Sequence, residues 1–191
     1  VPDLQIVQDT DPRCAELEAA GYRVVGESWA ARLFDPDRAL LESAVTRATA
    51  SGLTVREVGA ESAVALHGLE KINQPDYPYT PATSHVVGEV SDVRALWGEN
   101  RVFGAFDGSR LVGATVIGHR DGFGDTRFTS VLAAYRRRGV GQAVKAASIL
   151  AFLDLGVTRF STGGAAVNDG SIGANQALGY ELTERWRSYE L

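Results

Sequence analysis

The sequence contains a single cysteine, Cys14, so no disulfide can form within the chain, a usage that suits a reducing cytosol. Its three histidines, His67, His85 and His119, are scattered, and with one cysteine they offer no metal-ligand spacing. No apolar run reaches the length of a membrane span, and Asp154 interrupts the best candidate. A surplus of basic charge is also missing. The net charge of −5 and a pI near 5.2 repel nucleic-acid phosphates outside a local patch, and the triplet Arg136-Arg137-Arg138 is too short to be one. No secretory leader is visible at Val1, so the expectation is a cytoplasmic protein with no membrane and no nucleic-acid partner.

What is present is a chain of 191 residues, 45% hydrophobic, enough for one domain with a full core plus an appendage. Its most informative stretch is Arg136-Arg137-Arg138-Gly139-Val140-Gly141, set between the apolar run Thr129–Leu132 and a helical pattern that starts at Val140. A strand that turns through a basic, glycine-bearing loop into a helix makes a phosphate receptor. Loop amides and the positive end of the helix dipole converge there on one anion. The loop fits two readings. Gly139-x-Gly141 opens a dinucleotide fingerprint, but Val144 stands where the third glycine belongs, and no strand ending in an acidic residue follows at the required spacing. The other reading is a site for coenzyme A, and a solvated charged turn is the bland alternative to both.

Arg136-x-x-Gly139-x-Gly141 resembles the [Q/R]-x-x-G-x-[G/A] motif of the GNAT superfamily of acyl-CoA-dependent N-acyltransferases. Downstream, Asn168, Asn175 and Leu178-Gly179-Tyr180 are similar to that superfamily's second signature, in the same order and at matching spacing. The resemblance covers residues 53–191. It implies an α+β GNAT fold: a central, mostly antiparallel mixed sheet with helices on both faces, splayed after its fourth strand at the acyl-CoA site.

The pattern of residues agrees. A strand is predicted over Leu53–Val58 and a helix over Glu61–Lys71. Residues 73–81 hold three prolines and read as an extended loop. A second helix is predicted from an N-cap at Ser91 through Val93, Leu96 and Trp97. Strands over Arg101–Phe106 and Leu111–Ile117 are joined by a hairpin turn at 107–110, and a glycine-rich turn at 121–125 leads into the strand Thr126–Leu132. The helix after the loop, Val140–Leu155, places Val140, Val144, Ala147 and Ala151 on one stripe, widened by Ile149, Leu150 and Leu153. So apolar a helix is expected to pack well into the body of the protein. A strand over Thr158–Thr162 and a terminal strand or strand pair over Glu181–Leu191 complete the unit.

Residues 1–50 read as strand (Leu4–Val7), helix (Asp11–Ala20), strand or strand pair (Tyr22–Leu33) and linking helix (Ala39–Ala50). Ala20-Gly21-Tyr22 is similar to Leu178-Gly179-Tyr180, and Tyr22 lies as far from Leu33 as Tyr180 from Leu191. The segment is therefore either the remnant of an N-terminal GNAT repeat, serving structure or assembly, or an unrelated extension.

Acyl transfer from a thioester to an amine requires alignment, stabilisation of an oxyanion, and two proton transfers. The resemblance implies acetyl-CoA as co-substrate, no metal, a small-molecule amine as acceptor, and by family habit a bacterial-type homodimer. It assigns the pantetheine arm to the backbone of Val131, Leu132 and Ala133, and the pyrophosphate to the loop from Arg136 through Arg137, Arg138, Gly139, Val140, Gly141 and Gln142. Asn168 is expected at the pantetheine, or as a helix cap. Asn175 stands where many members carry a tyrosine that protonates the departing thiolate, so Asn168 and Asn175 are candidates with no established acid between them, and Tyr180 is expected in the core. No general base emerges from His119, Asp125 and Glu89. Acceptor candidates are Asp76, Tyr77, Tyr79 and His85, on the expected loop over the amine site. A fold that binds acyl-CoA without turning it over is the competing function.

Overall fold

The computed structural model describes residues 3–83 and 86–191; His85 lies outside them. Eight strands form one sheet: β1 (Gln5–Gln8), β2 (Arg23–Phe34), β3 (Thr54–Val58), β4 (Asn100–Asp107), β5 (Arg110–Arg120), β6 (Phe123–Val131), β7 (Arg159–Ala165) and β8 (Glu181–Glu190), in the order β1-β8-β2-β7-β6-β5-β4-β3. The α-helices are α1 (Arg13–Ala19), α2 (Arg38–Ala50), α3 (Ala63–Asn73), α4 (Val90–Ala95), α5 (Val140–Leu153) and α6 (Asp169–Gln176). The architecture is the expected α+β one, and all neighbouring strands run antiparallel except β6 and β7.

Strand alternation distributes the core over both faces of the sheet. Gly113 faces α5, where an added Cβ would sit 2.6 Å from Val140. Its neighbours Val112 and Ala114 therefore point to the other face, where Leu66 and Leu69 of α3 join the cluster. A second cluster packs Leu41 and Ala44 of α2 with Ile149 and Phe152 of α5 over Phe103, Ile117 and Phe160.

Four local expectations are corrected. α4 is not capped by Ser91: the cap is Glu89, whose N–H donates to the Asp92 carboxylate at 2.8 Å. The turn expected over 121–125 is only Asp121-Gly122, both at positive φ (52° and 79°), so Phe123, Gly124 and Asp125 already belong to β6. The twist of the flanking strands favours such a two-residue turn. α5 stops at Leu153, with Gly156 at positive φ beyond it. The buried face of α5 is also shifted. Val140, Val144 and Ile149 are buried as expected, but Lys145, Ala146 and Ser148 are buried with them, while Ala147, Leu150, Ala151 and Leu153 are only half-buried.

Residues 1–50 are not appended to the sheet but built into it. β2 lies between β8 and β7, and β1 closes the far edge of β8. The β2·β8 register is symmetric about Ser28 opposite Trp186. Glu27↔Arg187 mirrors Trp29↔Arg185, Gly26↔Ser188 mirrors Ala30↔Glu184, and Arg23↔Glu190 mirrors Arg32↔Glu181. Even the irregularities correspond, one extra residue on β2 at Val25 and one on β8 at Thr183. Trp29, 3% exposed, locks this junction. Its Nε1 donates to the Ala165 carbonyl at 3.1 Å, and its ring lies against Gly164, which has no side chain to displace it.

Deletion of residues 1–50 is thus expected to expose β7 and strip α2 from α5, giving aggregates in size-exclusion chromatography rather than a soluble remainder. The milder Trp29→Ala should cost about 3–5 kcal/mol, read by denaturant unfolding.

Candidate functional site

β6 and β7 pair only at Gly124↔Phe160 and Asp125↔Ser161. Past this point each strand follows its other neighbour, β6 along β5 and β7 along β2, and a cleft of about 730 Å³ opens between them. Its walls come from Thr126–Thr129 of β6, Thr162–Ala165 of β7 and Ser28–Ala30 of β2, with Asn168 and Ser171 at the start of α6. Tyr77, Pro78, Ala82 and Thr83 close one side, and Lys145 is at the floor.

The loop after β6 adjoins the cleft. A Cβ built on Gly141 would lie 3.5 Å from Val131 and 3.8 Å from Thr129. Arg137 (φ 58°) and Gly139 (φ 78°) both adopt the left-handed conformation. For Gly139 this costs nothing, whereas for Arg137 it is a sparsely populated state. The first intrahelical bond of α5 runs from Ala143 to the Gly139 carbonyl at 2.9 Å. Among the described residues, no backbone amide from Arg137 to Gln142 donates to a protein acceptor. Consecutive free amides at a helix start form an anion receptor. The side chains of Arg137 and Arg138 are exposed, and Arg138 stacks 5.3 Å over Tyr135.

Arg136 behaves differently from its motif neighbours. Its guanidinium bonds the Val131 carbonyl (2.9 Å) and Asn73 Oδ1 (3.0 Å) and pairs with Asp76 at 2.7 Å. The side chain clamps the end of β6 to the loop after α3 instead of presenting charge to a ligand. Asp76 is thereby paired with Arg136 rather than left as an isolated carboxylate. The Leu132 amide is likewise committed, to the Val112 carbonyl at 2.9 Å. By strand alternation that bond turns the amides of Thr129 and Val131 toward the cleft. Tyr77 reaches the cleft wall, but Tyr79 is 78% exposed and is not part of the lining.

Asn168 caps α6, its Oδ1 accepting the Ser171 N–H at 3.1 Å, and it also lines the cleft. Asn175 is 2% exposed and committed at both ends. Its Nδ2 donates to the Ser171 carbonyl (2.8 Å), and its Oδ1 accepts from Lys145 Nζ at 2.5 Å. Lys145 also donates to Thr162 Oγ1 at 3.1 Å, and its Nζ lies 5.4 Å from the centre of the Tyr180 ring. No carboxylate of the described residues forms an ion pair with it. Burial pulls the Lys145 ammonium down to about 7, against the opposing pull of the Asp125 carboxylate. The hydroxyls of Thr126 and Tyr180 are buried nearby with no protein hydrogen-bond partner.

The expectations for Glu89, Asp125 and His119 resolve as follows. Glu89 caps a helix, Asp125 accepts the Ser161 hydroxyl at 2.6 Å, and His119 is exposed near the β5–β6 turn. Lys145 and Glu70 were not singled out from the sequence as site residues. Glu70 is the one buried carboxylate among the described residues, at 1% exposure, and it accepts the Tyr77 hydroxyl at 3.3 Å. Among the described residues there is no group of His, Cys, Asp and Glu that could hold a metal, and no helix long and apolar enough to cross a membrane.

Solved structures share this architecture. A GCN5-related N-acetyltransferase from Sphaerobacter thermophilus aligns over the whole chain with a TM-score of 0.70 at 17% identity. The chain has the GNAT fold. A GCN5-related N-acetyltransferase-like protein from Streptococcus suis aligns with 97% of the chain (TM-score 0.67, 16% identity, 70% of that protein). A tandem GNAT protein from the clavulanic acid biosynthesis pathway aligns with 98% (TM-score 0.66, 18% identity). The chain spans 59% of the Sphaerobacter protein and 63% of the tandem GNAT protein. No family model matches the sequence, and no curated protein does. The splay expected of that fold lies between β6 and β7.

The depressed Lys145 predicts a pH signature in stability. Between about 7 and 10.5 the unfolded chain keeps this proton and the folded chain releases it, so folding gains stability as pH rises through that window. Measured against Lys145→Met, the native protein is expected to gain thermal stability from pH 7 to 10. A pH-independent difference between the two would contradict the assignment.

Proposed function

We propose that the chain transfers an acetyl group from acetyl-CoA to the primary amine of a small molecule. The carrying observation is the run of free amides from Arg137 to Gln142, set beside a cleft with an unpaired strand edge. A pyrophosphate suits the amides, and the Arg137 and Arg138 side chains add positive charge. An extended pantetheine arm suits the free edge of β6, where the Val131 and Thr129 amides point. The co-substrate supplies an acyl group already activated as a thioester. The protein's own contribution is therefore alignment, exclusion of water and proton management.

The acceptor is assigned to the part of the cleft between Tyr77–Thr83 and Ser28–Ala30. Gly26 touches the same loop, a Cβ there falling 3.0 Å from Thr80. The N-terminal strands thereby shape the acceptor side as well as completing the sheet. We read residues 1–50 as the remnant of a second GNAT unit, supported by the symmetric β2·β8 register. One such relative is a tandem GNAT protein. The segment has no glycine loop of its own, so one acetyl-CoA per chain is expected. The second reading, acyl-CoA binding without turnover, is favoured by Asn175, a buried amide where the resemblance implies a tyrosine.

Calorimetry with acetyl-CoA, and NAD as control, tests the reading. Binding of acetyl-CoA alone at one per chain is expected. Gly139→Asp and Gly141→Asp should each weaken it about 100-fold or more. Gly141 lies in the first turn of α5, has no positive φ and leaves room for a Cβ, so Gly141→Asp should leave circular dichroism unchanged. Gly139→Asp forces a side chain into the left-handed region and is read only if its circular dichroism matches the native protein. Full affinity in both variants would remove the phosphate-loop assignment.

A further inference from the structure

The GNAT reading leaves the departing sulfur without a proton donor, and the chain carries an unusual group beneath the cleft. It has two lysines among 19 basic residues, and one of them, Lys145, is buried in a mostly apolar helix. Surface lysines are easily explained; a lysine 5% exposed is not. Two acceptors, Asn175 Oδ1 and Thr162 Oγ1, fix its Nζ at the cleft floor. An ammonium has three N–H donors, so one remains after these bonds. Asn175, at the position where many GNAT proteins have tyrosine, is turned by Ser171 so that its oxygen faces the lysine. The charged and titratable neighbours are Asp125 on β6 and Tyr180, the residue before β8.

Resting on the acyl-transfer reading above, we infer that Lys145 Nζ protonates the thiolate released from the acyl-CoA, with Asn175 and Thr162 as its positioning residues. The amine nitrogen bonds to the thioester carbonyl carbon as the C–S bond breaks, and sulfur takes the bonding pair. The sulfur then takes a proton from the Lys145 ammonium. The proton lost by the acylated nitrogen passes to solvent, and solvent returns one to the neutral lysine. The free energy of the ammonium is suited to this cycle because burial brings its pKa to about 7.

The test uses the intact protein with ¹³C-labelled lysine, whose two lysines give two resolvable side-chain signals. Lys145 is titrated alone, with coenzyme A, and with desulfo-coenzyme A. A thiolate beside the ammonium should raise the Lys145 pKa by about one unit or more, and the sulfur-free analogue should not. Equal responses to the two ligands would overturn the role of Lys145 while leaving the coenzyme A site standing. Failure of both ligands to bind would instead sink the acyl-transfer reading and this inference with it. Turnover supplies a second measure. In the native enzyme kcat should fall as pH rises past the Lys145 pKa. Lys145→Gln should lower kcat about 10²-fold or more, flatten that limb and leave KM for acetyl-CoA within about threefold. The double variant Lys145→Gln, Asn175→Tyr should recover part of the rate. An unchanged pH profile in a folded Lys145→Gln protein would contradict the inference.

Discussion

Everything at the candidate site depends on β6 and β7 pairing for two residues and then parting. The parting is held from outside, because β6 remains on β5 while β7 remains on β2. It leaves one edge of each strand unpaired within an otherwise continuous sheet, a condition proteins seldom leave exposed without use. The gap has a mixed lining, with Thr126, Thr162 and Lys145 beside Trp29, Phe128 and Ala165.

The N-terminal strands give this arrangement its rigidity. β2 supplies the outer neighbour that β7 needs, and Trp29 ties it to Ala165 and Gly164 at the cleft wall. The near two-fold symmetry of β2 and β8 explains how a short N-terminal segment comes to occupy an interior position. A strand that matches the β8 surface residue for residue, bulges included, fits there with its side chains already in register. β2 also brings Ser28 and Ala30 to the cleft, so one element both completes the sheet and lines the gap.

Much of this was legible in the sequence. The β-branched runs around Gly108 and the pattern break at Gly139 mark local events, and hairpins and helix starts are decided locally. The glycine loop fell where expected because a left-handed turn and a helix start need few residues to specify. What escaped were properties set by distant partners. Asp121-Gly122 forms a tight turn because β5 and β6 carry their pairing further than the glycines imply. Arg136 reads as a phosphate ligand until α3 brings Asn73 and Asp76 to it. Lys145 reads as a solvated residue on an apolar helix, and only the approach of β7 and α6 buries it. The usable signal was its setting: one of only two lysines in the chain, placed inside a helix of high apolar content.

The central claim is that the amides from Arg137 to Gln142, with the free edge of β6, hold coenzyme A. Amide NMR of the ¹⁵N-labelled protein titrated with acetyl-CoA tests it most directly. The account predicts the largest shifts at Arg137–Gln142, accompanied by Val131 and Thr129, with Leu132 much less affected because its N–H stays on Val112. Shifts confined to another face of the sheet, or none at saturating acetyl-CoA, would contradict it.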